Sequence, residues 1–249
     1  MIRVVLTAAI NPQSNYRLFL TDPDERARQY GTALRKWCAW ADGVADARIA
    51  FVENSGADVE ELIRQHIGDK PSHLDVISAP RPPQYAIERG KGASESMMLD
   101  LFAREFTNDP DDTLWIKSTG RLFVRNLSDI LPEERPANLV MARIALDLNH
   151  VDARLYGASA GAWREVFTGM GDEVDEKDDF RVEHVLARRV CRAVGEGIPL
   201  VRFEGQPVVD GISGTWKGRK YGGVKSYAKR KVAGVVDYAL RDKLRNKHY

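Results

Sequence analysis

The first 126 residues alternate short β-branched runs with segments of helical period, and that alternation leaves few architectures open. Residues 3–10 (Arg-Val-Val-Leu-Thr-Ala-Ala-Ile), 47–52, 73–78 and 114–116 read as strands bounded by turn residues. Between them, residues 22–40 carry Tyr30, Ala33, Leu34, Trp37 and Ala41 at helical spacing, with Asp22 or Asp24 as the cap. A second helix is predicted over 59–67. A third opens at Gly90-Lys91-Gly92-Ala93-Ser94-Glu95, with Met97, Leu101, Ala103 and Phe106 as its apolar face. Strands separated by helices imply an α/β fold, a mostly parallel central sheet with helices on both faces.

The second half predicts strands over 138–144, 152–157 and 198–203, and helices over 161–167 and 180–194. The acidic stretch 171–179 between them reads as a solvated loop. Residues 1–210 are therefore expected to form the α/β domain. Residues 211–249 are expected to form a glycine loop (211–218) and a basic amphipathic helix. From Trp216 onward this tail holds eleven Lys and Arg against Asp237 and Asp242. Its three readings are contact with an anionic membrane surface, a grip on substrate phosphates, or a solvated helix.

Charge elsewhere is balanced, 37 Lys and Arg against 36 Asp and Glu, so no global field argues for nucleic acid, and no specific nucleic-acid partner is expected. The two cysteines, Cys38 and Cys191, fit neither a zinc site nor a disulfide framework, which suits a reducing cytoplasm. No signal peptide and no membrane-spanning run is read, so a cytoplasmic location is expected.

In an open parallel sheet, ligands bind beyond the carboxyl ends of the strands. Four polar clusters fall there: Thr7-Ala8-Ala9-Ile10-Asn11, Glu53-Asn54-Ser55-Gly56, Arg89 through Glu95, and Lys117-Ser118-Thr119-Gly120-Arg121. Gly90-Lys91-Gly92 at a helix start is either an anion cradle or a glycine turn with a solvated lysine. Lys117 and Arg121 can grip a phosphate, or be surface cations at a strand end. Glu53 can accept hydrogen bonds from a sugar or base, or cap the next helix. Asp152 and Arg154 are expected on one face of a strand, as an acceptor-binding carboxylate with a phosphate-binding arginine, or as an ion pair. Glu183, at the start of the late helix, can act as a general base. His184 beside it reads as a packed histidine.

Taken as a set, these motifs resemble bacterial nucleotide-sugar glycosyltransferases with a GT-A-like, Rossmann-like fold, of the kind encoded with capsule or lipopolysaccharide genes. The resemblance rests on Leu6 through Pro12, the Arg26…Tyr30…Leu34…Trp37 helix, Glu53 through Gly56, Gly90-Lys91-Gly92 with Glu95, Ile116-Lys117 with Thr119-Gly120-Arg121, Asn126, and Glu183. It implies a nucleotide-sugar donor and a glycan or polyprenyl-linked acceptor. Donor-site residues would be Thr7, Ala8, Asn11, Glu53, Asn54, Ser55, Lys91, Glu95, Lys117, Thr119, Gly120, Arg121 and Arg154. The catalytic carboxylate would be Glu183, with Asp152 as runner-up. Such enzymes place an Asp-x-Asp metal motif where this chain has Lys117-Ser118-Thr119-Gly120-Arg121. Metal-independent catalysis is therefore expected, with fixed cations neutralising the leaving diphosphate and Mg²⁺ or Mn²⁺ left open. The alternative is a non-catalytic nucleotide- or glycan-binding module whose tail binds membrane or RNA. The absence of a glycine fingerprint after the first strand counts against other Rossmann-like transferases.

Overall fold

The computed structural model describes residues 1–13, 18–212 and 220–221. The chain runs β1 (Ile2–Ala8), α1 (Pro23–Asp42), β2 (Ala47–Glu53), α2 (Val59–His66), β3 (Leu74–Ser78), α3 (Gln84–Arg89), α4 (Lys91–Glu105), β4 (Leu114–Thr119), β5 (Phe123–Val124) and α5 (Leu127–Ile130). It continues through β6 (Val140–Met141), β7 (Leu155–Ser159), α6 (Ala160–Val166), a 3₁₀ turn (Met170–Glu173), α7 (Val182–Gly195), β8 (Leu200–Val201), β9 (Val209–Ile212) and β10 (Lys220–Tyr221). Seven strands form one sheet in the order β3-β2-β1-β4-β7-β6-β8. β7 is antiparallel to both of its neighbours, and the remaining pairings are parallel. The expected helix-covered, mostly parallel sheet is therefore present.

Local chemistry explains the first helices. Asp22 caps α1 by accepting from Glu25 N at 2.8 Å, and Asp58 caps α2 by accepting from Glu61 N at 2.9 Å. Tyr30, Ala33, Leu34, Trp37 and Ala41 of α1 are all buried, as their spacing predicts. Two cores flank the sheet. One gathers Trp37, Phe51, Leu62 and Ile116; the other gathers Phe102, Trp115, Tyr156, Trp163 and Phe167. In the second, Tyr156 stacks on Trp163 at 5.6 Å while Phe102 meets Trp115 edge-on at 4.7 Å.

Several expectations need correcting. The chain makes an extra helix, α3, before passing through Gly90 at φ 114° into α4. The buried face of α4 is Ala93, Ser96, Met98, Leu99, Phe102 and Ala103; of the expected face Ala103 is buried and Phe106 packs on the core just past the helix, whereas Met97 and Leu101 are only partly buried, because the helix is packed by both the sheet and the Met170–Glu173 turn. The strand expected over 138–144 shrinks to β6. Beyond it Ala145 N donates to His150 O at 2.8 Å and Leu148 takes a left-handed φ of 59°, so the chain turns back instead of extending. Asp152 and Arg154 precede β7. The Asp152 side chain accepts from Arg154 N at 3.2 Å, an Asx-type turn that delays the strand to Leu155. Unforeseen is a second, three-stranded sheet in the order β10-β9-β5. Gly211 and Ile212, expected in a loop, belong to its β9. Lys220 and Tyr221, past that loop, form β10 instead of helix, and the remainder of the loop and of the expected basic helix lies outside the described residues.

The sheet's amino end is tied by a buried charge network. Arg3 is 4% exposed; its Nη1 meets Asp75 Oδ2 at 2.7 Å and its Nε meets Asp109 Oδ2 at 2.8 Å. Its guanidinium lies 3.7 Å from the Phe106 ring centroid, and Trp115 Nε1 donates to Asp109 Oδ2 at 2.8 Å. Burial raises the Asp109 pKa, but the hydrogen bonds from Arg3 and Trp115 and the Arg3 charge outweigh it and hold the group below its ordinary value. A depressed folded-state value means stability that is present above the unfolded pKa and lost as pH falls through the folded one. Arg3→Leu is expected to cost about 3–5 kcal/mol by urea unfolding, because it takes the charge partner from the largely buried Asp109. It is also expected to move the acid-unfolding midpoint to higher pH.

Candidate active site

The loops beyond the carboxyl ends of β1 and β4 meet the start of α4 and the start of α7 around one cavity of about 260 Å³. Thr7, Ala8, Asn54, Ser55, Lys91, Glu95, Lys117, Thr119, Arg121, Arg154 and Glu183 line it. Asn11, Glu53, Gly120 and Asp152 stand behind the lining. Five cations (Arg26, Lys91, Lys117, Arg121, Arg154) face two carboxylates (Glu95, Glu183), so the cavity favours an anion.

Its floor is a closed polar network. Lys117, 1% exposed, sits 2.9 Å from Glu95 Oε1 and donates to Ala153 O at 2.7 Å. Thr7 Oγ1 donates to the same Glu95 oxygen at 2.5 Å. Lys117 is thus not an open phosphate grip: its ammonium is shared between Glu95 and the segment that leads into β7. Gly120 is required here by close approach. It donates its N–H to Thr7 O at 3.0 Å, and a Cβ at this position would lie 2.6 Å from that oxygen.

Arg121 crosses the cavity wall. Its Nη1 reaches Gln29 Oε1 and Ile212 O, both at 3.3 Å, and its guanidinium carbon lies 5.8 Å from the Tyr30 ring centroid. Its buried Nε has no hydrogen-bond partner among the described residues. Arg26 and Tyr30 complete this wall. Arg26 Nε donates to Ala9 O at 2.9 Å and Ala9 N donates to Tyr30 Oη at 3.1 Å, which fixes the bend after β1. Burial pulls the Arg26 pKa down. Neither was assigned to the site from sequence, although a charged residue on the buried, Tyr30-bearing face of α1 is the signal that marks Arg26.

Glu53 is not an open acceptor. It is 2% exposed and receives Ile10 N, Ser55 N and Gly56 N at 3.0 Å each, Ala57 N at 3.2 Å, and the Ser55 hydroxyl. Ser55 Oγ in turn accepts from Asn11 N at 2.8 Å. Glu53 therefore clamps the β1 and β2 loops together: its role is structural, but it is not the expected helix cap, since Asp58 caps α2. Asp152 is likewise structural. Arg154 Nε and Nη2 hold its two oxygens at 2.8 and 2.7 Å, and Arg143 adds a longer contact at 3.7 Å. Burial alone would raise the Asp152 pKa, yet Arg154 and Arg143 bring it below its ordinary value, which makes it a poor base.

The acidic stretch 171–179 is also only partly solvated. Glu173 pairs with Arg189 at 2.6 Å and with Arg188, and Glu176 is 3% exposed. Glu176 Oε1 accepts from Gly92 N at 3.0 Å, so a carboxylate of the protein itself sits at the start of α4, where an external anion was one reading.

Among the described residues, the donor set at the end of β4 does not fit a divalent cation. The end of β4 offers Lys117, Ser118 and Thr119, the nearby Glu95 oxygen already accepts from Lys117 and Thr7, and no group of three or more His, Cys, Asp or Glu placed to hold a metal occurs among the described residues. No helix among them is long and apolar enough to cross a membrane.

No protein-family model matches the chain, and no curated protein matches it. Solved structures do. The galactosyltransferase LgtC, in complex with donor and acceptor sugar analogs, aligns with a TM-score of 0.50 at 13% identity, over 80% of this chain and 73% of its own. A putative nucleotide-diphospho-sugar transferase from Desulfovibrio desulfuricans aligns with a TM-score of 0.46 at 13% identity, over 81% and 79%. The first likeness shows the fold, which is GT-A-like.

Replacing Glu53 by Gln puts an amide N–H₂ among backbone donors. This change is expected to cost about 1–3 kcal/mol by urea unfolding.

Proposed function

We propose that the protein is a glycosyltransferase that moves a sugar from a nucleotide-sugar donor to a hydroxyl of a surface-polysaccharide or polyprenyl-linked glycan. The observation that carries this reading is the joining, in one cavity of a GT-A-like sheet, of a cationic wall and the carboxylate-bearing start of α7. The nucleoside lies against Thr7, Ala8, Asn54 and Ser55. The diphosphate meets Arg121 and Arg154, with Lys91 at the opposite side. Arg121 is well suited to this, since its buried Nε lacks a protein acceptor among the described residues and a phosphate oxygen supplies one.

In the inverting form of the reaction, the acceptor oxygen attacks the anomeric carbon and the bond from that carbon to the diphosphate oxygen breaks. Glu183 takes the acceptor's proton, and the nucleoside diphosphate leaves with the electron pair. If configuration is retained, Glu183 orients the acceptor instead. The leaving charge is met by fixed guanidinium groups, so catalysis proceeds without a divalent cation. The Lys117–Glu95 pair holds the floor in shape. Docking of the basic tail at an anionic membrane belongs to the same proposal, as does a role in capsule or lipopolysaccharide assembly.

Binding and turnover test it. Arg121→Ala is expected to weaken nucleoside diphosphate binding about tenfold to a hundredfold in calorimetry, the scale of a lost charge-assisted hydrogen bond. Glu183→Gln is expected to cut turnover of the best of UDP-glucose, UDP-galactose and GDP-mannose by about a hundredfold or more with binding kept. Unchanged binding and turnover in both variants overturn the reading. Loss of turnover on EDTA treatment overturns its metal-free form alone.

A further inference from the structure

The proposed chemistry assigns nothing to Glu176, yet this side chain is buried beside the cavity and pinned at two points. Its backbone N–H donates to Arg89 O at 2.8 Å, and its Oε1 accepts from Gly92 N at 3.0 Å. Asp175 and Phe180 exchange backbone hydrogen bonds at 2.9 and 2.8 Å, closing the residues between them into a tight turn. The chain then enters α7 within two residues, and Glu183 is the second residue of that helix.

The glycines flanking Lys91 are shaped to this contact. Gly90 has φ 114°, and a Cβ there would lie 2.6 Å from Glu176 Cδ. A Cβ on Gly92 would lie 3.1 Å from Glu176 Oε1 and 3.0 Å from Val182 Cβ. Gly92 therefore receives both Glu176 and the residue immediately before Glu183. The backbone of Glu183 is held from the other side, its carbonyl accepting from Val151 N at 3.1 Å.

We infer that Glu176 is a positioning residue that sets Glu183 against the cavity by tying the start of α7 to the start of α4. This assignment rests on the reading of Glu183 as the base. Burial raises the Glu176 pKa, the Gly92 hydrogen bond and Lys91 oppose that, and Glu183 and Glu95 add to it. The contact the Glu176 side chain makes is a single hydrogen bond accepted from Gly92 N, so it serves through its shape and its acceptor oxygen. Glutamine keeps both. Aspartate keeps the charge but is one methylene too short to reach Gly92 from a backbone fixed at Arg89.

The test is steady-state turnover of UDP-glucose, UDP-galactose or GDP-mannose, whichever the native protein uses, with folding checked by circular dichroism and thermal unfolding. Glu176→Gln is expected to keep kcat within about twofold. Glu176→Asp and Gly92→Ala are expected to lower kcat about tenfold or more with donor KM changed less than about threefold, as a misplaced base does. The inference is overturned if Gln loses as much as Asp, if the loss lies in KM alone, or if neither Asp nor Ala loses activity while Glu183→Gln does. Full kcat in Glu183→Gln overturns the reading of Glu183 and this assignment with it. Should Glu176→Asp fail to fold, Gly92→Ala decides the outcome.

Discussion

The buried pair of Lys117 and Glu95 is the contact on which the site depends. A lysine at 1% exposure is stable in its charged form only with a partner, and Glu95 supplies it at 2.9 Å. The pair does more than neutralise itself. Through Thr7 it reaches the end of β1, through Glu95 the second turn of α4, and through Ala153 the segment before β7. Four separate parts of the chain are thereby registered around one cavity floor. A charged pair suits this task because its hydrogen bonds are directional, where apolar packing would fix distance but not orientation.

This arrangement divides the cavity's cations by role. Lys117 is internal, and Arg26 is committed to carbonyl oxygens of the loop after β1. Arg121 is held by weaker, longer contacts and keeps a donor without a protein acceptor among the described residues. An anion that enters meets the third kind of cation against a scaffold made by the first two. Preorganisation of this sort removes the cost of reorienting donors when charge develops.

The first half of the chain was legible in the sequence because its signals are local. Asp22 announces its helix by capping, and the spacing in α1 names its own buried face. The four polar clusters could be placed at one end of the sheet because parallel strands carry direction. The failures share a cause. Asp152 looked like strand because alternation was visible, whereas its bond to the Arg154 backbone, which breaks the strand, depends on a rotamer. Glu53 and Glu176 looked like acceptor and solvated acid. Their partners, Ile10 and Gly92, lie 43 and 84 positions away, beyond any periodic signal. The face of α4 was misjudged at Met97 and Leu101 because a second layer, the Met170–Glu173 turn, packs on it.

The reversed direction of β7 has a consequence for how such a protein can diversify. Every other strand beside the cavity presents its exit to it, so changes there disturb the residues that hold the sheet's own loops. β7 presents its approach instead, and the segment between β6 and β7 reaches the cavity through Ala153 and Arg154. The exposed tip of that connection, residues 146–150, can lengthen, shorten or change composition while Ala153 keeps its bond to Lys117 and β1, β2 and β4 keep their clamp on the other half. The tip beyond that wall is thus free to drift in evolution at little cost to the rest, and a new binding partner can be acquired there without rebuilding the old site.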